Sequence, residues 1–236
     1  MEWITVPEKG FTLREVRTLT NRNVNLSEEL EKSVSAILEK VRDGGDAAIR
    51  ELTKKFDGVE LSDFRVTEEE MQEALAQVTP EFLEVLKEAK ANIETFHKEQ
   101  VRKSWTKKFR DGVELGEQFL PIQRVGVYVP GGRAAYPSTV LMDTVPALVA
   151  GCPSVAMTTP PGKDGKVNPN ILAAAYVAGV KEIYKVGGAQ GIAMLAYGTE
   201  SVEPVFKIVG PGNAFVAMAK RLVFGTVGID MIAGPS

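Results

Sequence analysis

The chain has 236 residues, a formal net charge of −3 and 44% hydrophobic residues, enough for one large domain or a domain with an arm. That charge balance excludes general attraction to nucleic acid or an anionic membrane, and no apolar run reaches the roughly 18 residues of a membrane helix. The single cysteine, Cys152, excludes an internal disulfide and points to a reducing, cytoplasmic setting. One histidine, His97, beside that cysteine leaves too few nitrogen and sulfur ligands for a zinc site within these residues.

Taken in order, the first stretch, MEWITVPEKG, is acidic and broken by Pro7, so it does not read as a signal peptide. Residues 1–25 read as irregular, with one short helix around Leu13 to Leu19. Asn25 or Ser27 is suited to cap a helix running to about Arg42, whose Leu30, Val34, Ile37, Leu38 and Val41 share one face. Gly44-Gly45 stops it, and Asp46 starts a second helix to about Phe56. Thr67 with Glu70 forms a capping box for a third. Thr79-Pro80 opens a fourth, expected to reach about Lys103, with Phe82, Val85, Leu86, Ala89, Ile93 and Phe96 on one face. His97 sits one residue off that face with no acid or cysteine at ligand spacing, so it reads as structural. Trp105 to Arg110 is basic and aromatic. It reads as the solvated end of that helix rather than as a nucleic-acid patch. Val113 to Leu120 reads as a strand leading into the next domain.

Composition changes near residue 112. Residues 1–112 hold 42 charged residues, 5 glycines and 2 prolines; residues 113–236 hold 17, 17 and 11. The first part therefore reads as a solvated helical arm (1–112) and the second as a buried sheet domain (113–236). In the second, short apolar runs at Val125 to Val129, Ser154 to Thr159, Glu182 to Val186 and Val205 to Val209 alternate with helix-length patterns. That alternation predicts βαβ units. The expected fold class is α/β, an incomplete Rossmann-like parallel sheet with helices on both faces, preceded by the helical arm. Cys152, between Gly151 and Pro153, reads as a packed thiol.

Ligands of such sheets bind at the loops after the strands. No G-x-G-x-x-G, no G-x-x-x-x-G-K-[ST] and no G-x-S-x-G is present. Three loops nonetheless combine glycines, a helix start and one amide or hydroxyl side chain. Tyr128 precedes Pro130-Gly131-Gly132, with Ser138 at the next helix start. Gly187-Gly188 is followed by Gln190, and Gly210-Pro211-Gly212 by Asn213. Each alone is an ordinary turn and cap. Three at one edge of a sheet suit an anionic or nucleotide-like ligand. Asp143 and Asp230 are the few acids near them, and Asp230 reads as a turn or cap residue rather than a base.

RVGVYVPGG, STVLM, VGGAQGIAMLAYGTESV, KIVGPGNAFV and IDMIAGPS, in this order and spacing, resemble histidinol dehydrogenase, as do VRDGGDAAIRELTKKFDG and NIETFH in the arm. The resemblance implies an NAD- and zinc-dependent homodimeric oxidoreductase of histidine biosynthesis that converts L-histidinol to L-histidine through an aldehyde. It implies that Tyr128, Gln190 and Asn213 contact NAD and that Ser236 contacts substrate. The family's chain continues past the GPS motif for about as much again. Its zinc ligands and its catalytic Glu-His pair lie there. The expectation is therefore an N-terminal portion, the arm plus the first of two Rossmann-like domains, with no catalytic or metal-ligating residue of its own and no turnover alone. The alternative is a stand-alone, non-catalytic α/β domain with weak nucleotide or phosphate binding.

Overall fold

The computed structural model describes residues 10, 12, 16, 28–131 and 135–232. Asn25, Ser27, Gly132 and Ser236, and all but Val16 of the short helix expected around Leu13 to Leu19, lie outside the described residues.

Five strands form one parallel sheet: β3 (Arg124–Tyr128), β4 (Ser154–Thr158), β5 (Glu182–Tyr184), β6 (Lys207–Val209) and β7 (Gly228–Ile229). Their spatial order is β5-β4-β3-β6-β7. All five residues of β3 are buried, because both faces of the sheet are covered and neither leaves a polar register. The side chains still alternate. Tyr128, Ala156, Tyr184 and Ile208 join one apolar cluster, and Val125, Val127, Val155, Met157 and Ile183 the other, as a period of two requires. At Gly126 an added Cβ would lie 2.9 Å from Leu195 and 3.0 Å from Val205, so the missing side chain is what lets a helix lie against the central strand.

Over the first face lie α1 (Glu28–Asp57), α6 (Gly188–Tyr197) and α7 (Ala214–Val223). Over the second lie α2 (Glu68–Ala76), α3 (Pro80–Lys98), α4 (Pro137–Val149) and α5 (Pro169–Ala178). α1 contains the break expected at Gly44-Gly45: Gly45 takes φ 50°, ψ −137°. The restart is held from outside the helix. The Asp46 N–H donates to Glu200 Oε2 at 2.7 Å, and the Ser201 hydroxyl donates to Asp46 Oδ1 at 3.0 Å. The Thr67–Glu70 capping box and the Thr79 cap are both present. The edge of β5 is paired by the segment before α2, with Val66 N–H donating to the Ile183 carbonyl and Lys185 N–H to that of Phe64. An exposed edge is thereby covered.

Two expectations in the arm are corrected. α3 ends at Lys98, not Lys103, and of its apolar face only Leu86 is fully buried, while Val85 is 60% and Phe96 65% exposed. Trp105–Arg110 is not a helix end. It is strand β1, paired antiparallel with β2 (Val113–Glu117). Arg110 pairs with Val113 across Asp111-Gly112, where Gly112 has φ 76°. An Asp-Gly pair between two strands is a strong hairpin signal, and the basic side chains had masked it. β2 pairs only with β1 and does not enter the central sheet.

Candidate functional site

The strand order places β3, the first strand of the sheet in sequence, beside β6, the fourth. Connections leave this point in opposite directions, and the crevice between their carboxyl ends is where open α/β sheets take ligands. A cavity of about 380 Å³ lies there. The loops after β3, β4, β5 and β6 all reach it through Tyr128 and Gly131, Pro160 and Pro161, Gly188 and Gln190, and Asn213; Phe56 and Asp57 come from the end of α1.

Tyr128 ends β3 and is 4% exposed. Its hydroxyl accepts from the Gly188 N–H at 3.1 Å. Burial pushes its phenol above the ordinary value, against that hydrogen bond. Gly188 starts α6 at φ 61°, a left-handed conformation that suits glycine. Two residues on, Gln190 is 2% exposed, and its Nε2 approaches Asp57 Oδ2 at 3.5 Å. Asn213 caps α7, its Oδ1 accepting from Phe215 N–H at 3.0 Å and Val216 N–H at 3.1 Å. Its oxygen is thus committed to the helix, while its NH2 has no partner among the described residues. The structure therefore brings Tyr128, Gln190 and Asn213 to one cavity lined also by the first turns of α6 and α7, whose N-termini favour anionic groups. Ser236 lies outside the described residues.

Asp57 was missed in the sequence. It ends α1, where a carboxylate opposes the helix dipole, and burial pushes its carboxyl up to about 6. The local sign was available in KKFDG, an acid just before the helix-ending Gly58, after two lysines that suit that end. What could not be read was the fold that carries it to Gln190, 133 residues away.

A second polar group lies behind the Gly210 loop. Lys220, 3% exposed, donates to the Gly210 carbonyl at 2.9 Å and forms an ion pair with Asp230. Asp230 Oδ2 accepts from the Gly210 N–H at 2.9 Å. Both backbone groups of Gly210 are thus held, with its φ at 116° and an added Cβ 2.2 Å from the Tyr128 carbonyl. Asp230, expected as a turn or cap residue, instead joins the Gly210 loop to Lys220. Asp143 of α4 has its Oδ2 buried without a hydrogen-bond partner among the described residues. Burial, and then the charge of Asp230, push its carboxyl up to about 7, against the pull of Lys220.

Among the described residues no three His, Cys, Asp or Glu side chains are grouped to hold a metal ion, so the residues present here do not fit a zinc site. His97 Nδ1 lies 2.6 Å from Gln100 Oε1, and its ring meets Phe96 edge-on. Cys152 is buried, which pushes its thiol up. Among the described residues no helix is long and apolar enough to cross a membrane.

A family model described as histidinol dehydrogenase matches residues 20–236. A relative from Geobacillus kaustophilus, named histidinol dehydrogenase, is 57% identical over 210 residues, covering 89% of this chain and 50% of that protein. One of the same name from Listeria innocua is 56% identical over 212 residues, covering 90% and 49%. The crystal structure of histidinol dehydrogenase from Elizabethkingia anophelis superposes with a TM-score of 0.87 at 40% identity, over 96% of this chain and 52% of that one. The chain spans about half the length of the relatives it matches.

Proposed function

The chain belongs to the histidinol dehydrogenase family, and from that premise we propose that it supplies the dinucleotide-binding part of an NAD-dependent oxidation of L-histidinol to L-histidine through the aldehyde. In this reading residues 1–112 are the arm and 113–236 the cofactor domain, working in the cytoplasm as part of a homodimer. The observation that carries it is the meeting of Tyr128, Gln190 and Asn213 at one cavity on the topological switch point.

NAD, when bound, accepts the hydride. The residues fit it: the cavity has glycines where a backbone must approach closely, two helix N-termini for phosphate, and the unpartnered NH2 of Asn213. Tyr128 fixes the start of α6 through Gly188. Gln190 offers a buried carboxamide to a ribose or amide group. Asn213 holds the first turn of α7 open and turns its NH2 to the ligand. Pro160 and Pro161 supply flat apolar walls that exclude water from one side. Ser236 contacts the substrate in this proposal, by the family resemblance.

Zinc, which the family resemblance also implies, finds no cage among the described residues. Taking the hydroxyl proton requires a base beside the substrate, and the one imidazole, His97, does not line the cavity. We therefore propose that these residues bind NAD without turning over L-histidinol. The exposed apolar side chains of α3 and of the β1–β2 hairpin, Val85, Phe96, Trp105 and Phe109, support association with a second copy.

Titration of the chain with NAD tests the reading. Saturable binding is expected, weakened at least tenfold in Asn213→Ala and in Gln190→Ala, the loss of about one buried hydrogen bond. Absence of saturable binding, or equal affinity in both variants, would sink it. No NADH is expected on adding L-histidinol and zinc to the NAD-loaded chain, and NADH formed there would overturn the absence of turnover.

A further inference from the structure

Asp57 has an environment that answers its charge poorly. It is the last residue of α1, facing a helix C-terminus that disfavours negative charge. Burial withdraws water from its carboxylate. The lysines beside it do not compensate: Lys54 pairs with Glu60, and Lys55 lies over the Phe56 ring at 5.2 Å. Among the described residues its one hydrogen-bond partner is Gln190, at 3.5 Å, a long contact. A carboxylate left so poorly satisfied at the wall of a cavity is a functional-site signature.

The strands say what it would bind. In a dinucleotide-binding sheet, an acid near the end of the strand after the glycine loop accepts the ribose hydroxyls. Here that strand is β4, and it runs into Thr158-Thr159-Pro160-Pro161 with no carboxylate. Thr158 is itself fully buried and donates to the Val186 carbonyl at 2.6 Å. The position is vacant of acid, and Asp57 lines the same cavity as Pro160 and Pro161, delivered by the arm.

Resting on the reading of the cavity as an NAD site, we propose that Asp57 accepts the vicinal hydroxyls of a ribose of the dinucleotide and so selects NAD over its 2′-phosphorylated form. Two carboxylate oxygens accept two adjacent O–H donors, and Gln190 Nε2 keeps the acceptor aimed across the cavity. A 2′-phosphate at the same place would bring a dianion against a carboxylate, an arrangement that rejects the wrong ligand by repulsion.

The test is calorimetric titration of the chain, and of Asp57→Asn and Asp57→Ser, with NAD and separately with NADP, together with each protein's melting temperature. The unsubstituted chain is expected to prefer NAD. Asp57→Asn should lose about tenfold in NAD affinity, the loss of a charge-assisted hydrogen bond, with NADP affinity unchanged or higher. Asp57→Ser, which also opens space, should bind NADP more tightly than the unsubstituted chain does. Neither variant should melt lower, since the removed charge opposes the helix dipole. NAD affinity within twofold of the unsubstituted chain in both variants, with an unchanged NAD-to-NADP ratio, would overturn the role of Asp57 while leaving the site intact. Equal weakening for both dinucleotides with a lowered melting temperature would overturn it as a structural effect. No saturable NAD binding by the unsubstituted chain would overturn both the site and the role of Asp57.

Discussion

Two polar corners sit at the same end of the sheet and differ in how their charges are answered. At the Gly210 corner, Lys220 and Asp230 satisfy each other and both backbone groups of Gly210. At the Asp57 corner, a carboxylate meets one carboxamide at 3.5 Å and a helix end of the wrong sign. A buried network with its partners in place rigidifies a loop; a half-buried carboxylate with one long hydrogen bond leaves acceptor capacity open. Local electrostatics thus separates a corner whose charges are answered from one whose charge is not, though both are made of an acid and a loop.

The contrast is broken most severely at Lys220. Lys220→Met leaves Asp230 without its cation and Gly210 without a donor, and should cost about 3 kcal/mol in urea denaturation, the lower end for splitting a buried pair because Asp230 is partly exposed. Adding Asp230→Asn should recover part of that loss; full additivity in the double variant would deny that the two act as a unit.

Asp143 gives a smaller and pH-dependent effect. Its carboxyl is pushed up from 3.8 to about 7 in the folded chain, first by burial and then by Asp230. The folded state then keeps a proton that the unfolded state has released between those values. Stability therefore falls as pH rises through this window. Asp143→Asn should remove that fall and leave the variant about 1–3 kcal/mol more stable than the parent at pH 8, with little difference near pH 4. Denaturation midpoints at both pH values check it, and parallel curves would refute it.

The smallest effect belongs to the exposed face of α3. Val85→Ser and Phe96→Ser should change stability by no more than about 0.5 kcal/mol, since both side chains are mostly in solvent. If the arm joins two copies, the same variants should shift the sedimenting mass towards monomer, which separates a binding surface from a core.

Local chemistry made much of this visible in the residues. The Thr67 and Thr79 caps, the Gly44-Gly45 break and the strand–loop–helix alternation depend on neighbours a few positions apart, and all are where the pattern puts them. The hairpin was missed because lysine and arginine at Lys107, Lys108 and Arg110 resemble a helix end more loudly than Asp111-Gly112 resembles a turn. Lys220 lies in the last turn of α7, and only the packing of β7 beside β6 shows that it faces inward. Asp57 depends on contacts too distant in sequence for any period to reveal.

The break in α1 has a mechanical consequence. From Asp46 to Asp57 the helix is a straight arm of about 17 Å at 1.5 Å per residue, pivoted at Gly45 and pinned there by Glu200 and Ser201. A tilt of about 5° at the pivot carries the far tip through about 1.5 Å over that length, as far as separates a good hydrogen bond from none. A pair of ordinary side chains at the opposite end of a lever therefore sets how closely its acidic tip meets whatever enters the crevice.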